Sequence, residues 1–269
     1  MFSFTSWSLL EAVSIWLTSY IDIFIVGVYL NEYYVGLYKT STTVVGQITG
    51  LITSATTPIL FSSLSRLQSN RREFEDMFFK FQKLVGMLII PLGVGIYCYS
   101  DLITNILLGK QWIEASTFIG LWGLTSAVTI ILSHYCSEVY RALGRPKLSV
   151  LAQWLHIIVL CPVVYFSVQY GYESLCISRS IVRLELVAVN MLIMYLVLTI
   201  SPRKMIKNIT PEIIGAFVMM FVAYILQNVY SSFLWNIMSI IICAIIYFII
   251  ILSFKVERRM LFSFIKNIS

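Results

Sequence analysis

The stretch SWSLLEAVSIWLTSYIDIFIVGVYLNEYYVGLYK, residues 6–39, decides how the rest of the chain is read. Trp7 to Leu30 is apolar and long enough to cross a bilayer, and the short turn NEYY leads directly into a second span headed by Lys39. The first span nevertheless carries Glu11 and Asp22. Eleven residues at 100° each return a helix to within about 20° of its starting direction. The two acids therefore share a face, with Thr18 between them and Ser8 and Ser14 alongside. A carboxylate in mid-bilayer costs roughly 3 kcal/mol on insertion scales, which directs such a seam towards a bundle interior or a watery cavity. Glu11, near the end of the span, is expected to escape by snorkelling to the surface, whereas Asp22 lies too deep for that.

The remainder repeats the pattern of the first span. Of 269 residues, 59% are hydrophobic and only 12% charged, and the mean hydropathy is +0.86, far outside the soluble globular range. An all-α, polytopic membrane protein is expected, with eight spans at about 7–30, 36–62, 84–107, 113–140, 148–169, 176–200, 211–229 and 233–254. Fifteen of the 19 Lys and Arg fall in the connection 63–83, in RALGRPK (141–147), in SPRKMIK (201–207) and in the tail, which carries Lys255, Arg258, Arg259 and Lys266. The alternate connections hold only Lys110. The positive-inside rule then places both termini in the cytoplasm, as an even number of spans requires. The net charge of +6 fits a cytoplasmic leaflet of anionic lipid and calls for no nucleic acid. Cys98, Cys136, Cys161, Cys176 and Cys243 have neither CxxC nor His-paired spacing, so neither a disulfide frame nor a metal site is read, and no cofactor is implied. The start, MFSFTS, has no basic region or cleavage pattern of a signal peptide.

Several spans carry polar residues in register. In the second, Lys39, Thr43, Gln47, Gly50 and Ser54 recur at steps of four, four, three and four and share one face. Lys39, Thr43 and Gln47 suit the wall of a passage, while Gly50 and Ser54 are read as close helix packing. FSSLSRLQSNRREFEDMFFKFQKL, residues 61–84, mixes charges with a Phe and Leu stripe and is expected to include an amphipathic helix, over 63–83, lying on the cytoplasmic surface. Pro91, Gly93 and Gly95 mark a kink in the third span. His134, Glu138 and Arg141 lie on one face at the end of the fourth and read as a salt-bridge cluster. His156 in the fifth has no acidic neighbour at helical spacing and reads as a packed histidine. In the sixth, Arg179 and Arg183 share a face with Asn190, and two arginines inside a span demand partners, either acids of neighbouring helices or a phosphate. Asp22 and Lys39, facing each other across the NEYY turn at depths of about 13 and 7 Å, are expected to pair. The last two spans hold almost no polar residues and are expected to face lipid.

Four segments in this order, IDIFIVGVYLNEYYVGLYKTST (21–42), TPILFSSLSRLQ (57–68), LIIPLGVGI (88–96) and ILLGKQWIEAS (106–116), resemble the second half of polysaccharide exporters and O-antigen flippases. These form the polysaccharide-transport branch of the multidrug, oligosaccharidyl-lipid and polysaccharide flippase superfamily. The resemblance covers residues 1–200, with the last two spans similar by hydropathy alone. It implies a six-helix lobe over 1–200, followed by two additional helices and a basic tail over 201–269. It also implies an activity, the transfer of undecaprenyl-pyrophosphate-linked oligosaccharide between leaflets of the bacterial inner membrane by alternating access.

On that resemblance Lys39, Arg179 and Arg183 are the candidate substrate-binding cations, with Asp22, Thr18, Glu11, Thr43 and Gln47 as a polar seam of the cavity. The expected partners are the lipid-linked oligosaccharide, membrane lipid, and a first lobe supplied by another polypeptide or a second copy, or else lost from a truncated reading frame. Three other classes compete. A drug or cation antiporter of the same superfamily needs cavity carboxylates but not cations. A membrane enzyme of the same pathway needs a carboxylate or metal cluster and a large loop, and the longest connection here is only about twenty residues. A non-transporting fragment or accessory subunit is the third.

Overall fold

The computed structural model describes residues 2–230 and 232–266, with side chains described over 5–230 and 232–260. Every regular element among these residues is helical. Helices run α1 (Phe2–Tyr29), α2 (Glu32–Arg66), α3 (Arg71–Cys98), α4 (Ser100–Leu107), a 3-10 turn (Lys110–Ala115) and α5 (Ser116–Thr129). A π turn (Ile130–His134) joins α5 to α6 (Tyr135–Ala142), and α7 (Lys147–Val168), α8 (Tyr172–Leu198), α9 (Pro202–Asn208), α10 (Thr210–Val229), α11 (Phe233–Ser253) and α12 (Lys255–Lys266) follow. Eight of these units are long and apolar enough to cross a membrane, the fourth being the continuous run Lys110–Ala142. The protein is an all-α, multi-pass membrane protein.

Span count and order agree with the hydropathy reading, and the local signals that end each helix are visible. Asn31 caps α2 by accepting from the Tyr34 amide, and Asn70 caps α3 by accepting from the Glu73 amide. Gly109, Gly144 and Gly171 take positive φ values of 94°, 68° and 93° at turns where a side chain would be strained. Thr199, also left-handed, ends α8, and Arg71 donates to its hydroxyl and to the Leu198 carbonyl. Thr210 does not cap α10 as its position suggests; its hydroxyl donates back to the Ile206 carbonyl.

The connection 63–83 departs from expectation. No separate surface helix forms there: α2 continues to Arg66, four residues turn, and α3 starts at Arg71 and runs unbroken through Pro91 to Cys98. The physical reason lies in the phenylalanines. Phe74, Phe78 and Phe79 are buried in the largest core cluster, against α6, α8 and the segment around Met205, so the apolar stripe is spent on protein rather than lipid. Of the expected basic tail, α12 forms one helix, and the Lys266 side chain lies outside the described residues.

Packing divides the bundle unevenly. α1 lies along α7, α7 along α8, α8 along α5, and α5 along α3, whereas α1 and α2 touch each other little. The α3–α5 crossing is very close: a methyl group on Gly93 would stand 2.4 Å from the Ala127 Cβ, and one on Gly123 would stand 2.4 Å from Ile96. α10 packs on α3 and α11, away from α1, and Phe217 and Phe221 of α10 with Ile241, Ile245 and Ile249 of α11 point outward, as expected of a pair facing lipid. The separation of α1 from α2 leaves a cleft.

Candidate functional site

The cleft runs between α1 and α2, over a floor made by α5, the π turn, α7 and α8. Its upper part, a cavity of about 380 Å³, is lined by Thr18 and Asp22 of α1, Tyr38, Lys39 and Thr43 of α2, Trp122 and Thr129 of α5, Gln153 and His156 of α7, and Arg179 and Arg183 of α8. A second cavity of about 290 Å³ shares Thr129, Gln153 and Arg183 with the first and extends to Glu11, Ser137 and Arg141. Ser126, Thr129, Ser133 and Ser137 follow one another along its floor at helical spacing. The cleft is thus a polar trough between walls otherwise apolar, with Lys39 and Asp22 towards the α1–α2 turn and Glu11 and Arg141 towards the opposite end. That opposite end carries most of the basic connections and is called the basic end below.

All three expected cations line the upper cavity, in distinct states. Arg179 is buried and donates from Nε to Asp22 Oδ2 at 2.7 Å, while its Nη1 is buried without a partner among the described residues. Arg183 donates to the Ser126 hydroxyl at 2.8 Å and lies over the Trp122 ring, its Cζ 3.7 Å from the centroid; Arg179 approaches the same ring at 4.8 Å. Lys39 is exposed, with no salt bridge among the described residues.

Asp22 therefore does not pair with Lys39. Its Oδ2 accepts from both Arg179 and the Tyr38 hydroxyl, the latter at 2.6 Å, and Asp22 is only 3% exposed. Tyr38 precedes Lys39 by one residue, so it points about 100° round α2, into the bundle where Lys39 points into the cleft. A rigid, planar guanidinium held by the packing of α8 satisfies a buried carboxylate better than a flexible ammonium can.

Other members of the seam are placed by the same packing. Thr18 donates to the Ser14 carbonyl at 2.8 Å and contacts Gln153 Oε1 at 3.2 Å. Glu11 does not snorkel. It is 3% exposed, with Oε1 3.8 Å from Arg141 Nε, and Arg141 also holds Glu138. The salt-bridge reading of Glu138 and Arg141 is right, while His134 has no ion pair among the described residues and meets the Thr57 hydroxyl of α2 at 3.2 Å, in the same cavity as Arg141. Thr43 and Gln47 are exposed on the α2 wall. Gly50 and Ser54 are not packing positions: Ser54 is exposed, and a methyl group on Gly50 would have no neighbour within 4 Å. The whole polar face of α2 is uncovered.

One pair was hidden from sequence. His156 Nδ1 lies 2.8 Å from Glu185 Oε2, with His156 on α7 and Glu185 on α8. Spacing along one helix cannot reveal a partner on the next, and only the tight α7–α8 packing brings them together. Among the described residues no group of three or more His, Cys, Asp or Glu comes together to hold a metal ion.

Residues 1–117 match the family described as polysaccharide biosynthesis protein. A protein described as an uncharacterized membrane protein in the cps region of Klebsiella pneumoniae is 24% identical over 220 residues, 81% of this chain and 44% of that protein. A probable low-salt glycan biosynthesis flippase of Haloferax volcanii is 26% identical over 164 residues, 59% of this chain and 34% of that one. The solved structure of the lipid II flippase MurJ, in an inward closed conformation, is similar in fold with a TM-score of 0.76 at 17% identity, covering 90% of this chain and 51% of that chain. The resemblance to polysaccharide flippases drawn from residues 21–116 is borne out by these likenesses. The chain spans about half the length of the solved structure, and less than half that of each curated relative.

Proposed function

We propose that the protein moves a lipid-linked oligosaccharide, carried on undecaprenyl pyrophosphate, across the bacterial inner membrane by alternating access, as one half of a flippase with both termini cytoplasmic. The observation that carries this reading is the state of the three cleft cations. Arg179 keeps a buried, unpartnered Nη1 donor, Arg183 is held beside it on Trp122, and Lys39 is free and exposed. An unpartnered buried donor between two further cations suits phosphate oxygens, which accept from several donors at once. Tyr38 and Asp22 position Arg179 for this task. The hydroxyls along the floor and on the α2 wall supply hydrogen bonds suited to sugar.

The antiporter reading fares worse on the same geometry. It requires cavity carboxylates free to exchange ions, yet Asp22 is committed to Arg179 and Tyr38, and Glu11 and Glu138 flank Arg141. The uncovered face of α2 supports a second lobe as the opposite wall, from another polypeptide or a second copy. The test is polysaccharide export in a flippase-deficient strain supplied with this chain and a first lobe. Lys39→Ala and Arg183→Ala are expected to abolish export at unchanged membrane levels. Normal export from both variants overturns the assignment.

A further inference from the structure

Away from the cleft, where α3, α10, α11 and α12 meet at the basic end, a second charged cluster is buried. Lys83 of α3 pairs with Glu257 of α12, and both are buried. Glu212, in the first turn of α10, is 0% exposed, and neither of its carboxylate oxygens has a hydrogen-bond partner among the described residues. Gln82 Nε2 and the Tyr247 hydroxyl are likewise buried and unpartnered.

These groups converge on one place. Gln82 Oε1 accepts from Asn208 Nδ2 at 3.0 Å, and Asn208 stands one helical turn before Glu212. Tyr247 lies against Gly215, three residues after Glu212, so closely that a methyl group there would come within 3.1 Å of the ring. A methyl group on Gly86, one turn after Lys83, would stand 4.0 Å from the Glu212 Cγ. The groups around Glu212 are therefore Lys83 from α3, Tyr247 from α11 and Glu257 from α12, with Gln82 of α3 and Asn208 at the end of α9 bonded to each other nearby.

The charges do not balance. With Glu212 ionised, the cluster holds two carboxylates against one ammonium, and that ammonium is bonded to Glu257. The N-terminal end of a helix favours an anion, but only by a small fraction of what an unpaired buried carboxylate costs. One positive charge is missing, and no ligand set for a metal ion exists among the described residues.

We propose that Glu212 is a proton-binding site. As a neutral carboxyl it gains a donor and keeps an acceptor, so small side-chain rotations let it donate to the Tyr247 hydroxyl and accept from Gln82 Nε2. Lys83 is then left wholly to Glu257, which docks α12 on the bundle. When the proton leaves, Glu212 and Glu257 compete for Lys83, and the hold on α12 weakens. The site thereby ties attachment of the C-terminal helix to pH, independently of the cleft.

The test uses the purified full chain in detergent. Infrared difference spectra at neutral pH are expected to show a protonated-carboxyl band that Glu212→Gln loses. A spectrum unchanged by that substitution overturns the proposal. Trypsin cleavage within α12, measured against cleavage at Lys147 in the same sample, is expected to rise with pH in the wild type and to stay low in Glu212→Gln. Equal pH dependence in both proteins overturns it. Sodium is expected to change neither readout, and a sodium effect that Glu212→Gln removes assigns the site to a metal ion instead, which also overturns it. Should Glu212→Gln fail to fold, Glu257→Gln frees Lys83 for Glu212 and is expected to remove the same band. Its retention overturns the proposal.

Discussion

Arg179 of α8 and Asp22 of α1 form a buried ion pair at 2.7 Å, although 157 residues of chain separate them. α1 touches α8 through little else and is otherwise held along α7. Removing one partner leaves the other charge buried and uncompensated, at a cost of about 3–5 kcal/mol, whereas replacing both with apolar residues avoids that penalty. Asp22→Ala and Arg179→Ala are each expected to lower stability by that amount in denaturation of the detergent-solubilised chain, and Asp22→Leu with Arg179→Leu by clearly less. A double variant no more stable than the singles contradicts the pairing.

The glycines of the bundle separate into two kinds. Gly93→Ala and Gly123→Ala force apart α3 and α5 where contact is already at its limit, and each is expected to cost about 1–3 kcal/mol. Gly46→Ala and Gly50→Ala meet nothing within 4 Å in an uncovered helix, and are expected to leave stability unchanged or raise it by up to about 1 kcal/mol. Melting temperatures of the four variants, measured side by side, check the ordering.

The eight spans were legible because hydropathy is a local property of about twenty consecutive residues, and the seam of Glu11, Thr18 and Asp22 because helical periodicity is local too. Partners were not. Lys39 looked like the mate of Asp22 because it lies near in sequence, while Arg179 wins through the packing of α1, α7 and α8. His156 seemed solitary for the same reason. The phenylalanine stripe at 74–79 reads equally as a lipid-facing or a core-facing surface, and only the neighbouring helices decide between them. His134 shares a cavity with Arg141, but its partner Thr57 lies on α2, which spacing along one helix cannot reveal.

The His156–Glu185 contact joins α7 to α8 beside the cleft floor. A double-mutant cycle of His156→Ala and Glu185→Ala is expected to give a coupling energy of about 0.5–3 kcal/mol, since the two groups are in direct contact. Strict additivity of the two changes shows that the contact contributes nothing.

The uncovered wall of α2 can be mapped by chemistry. Cysteines placed singly at Thr43, Gln47 and Ser54 are expected to react with a water-soluble thiol reagent in the chain alone, and to be protected when a first lobe is co-expressed. The native Cys136, Cys176 and Cys243 are buried, and the half-buried Cys98 and Cys161 are replaced by serine in the parent chain. Labelling unchanged by the first lobe argues against α2 as the covered face.

Exposure of Lys39, Thr43 and Gln47 also has a consequence for the cell. A lone chain leaves these groups in a wet cleft with no protein wall packed over them, so its folded form in the membrane is expected to be under-stabilised and open to proteolysis. On the proposed two-lobe assembly, steady-state abundance becomes a measure of pairing: the amount of this protein in a membrane is expected to follow how much of a first lobe is made alongside it.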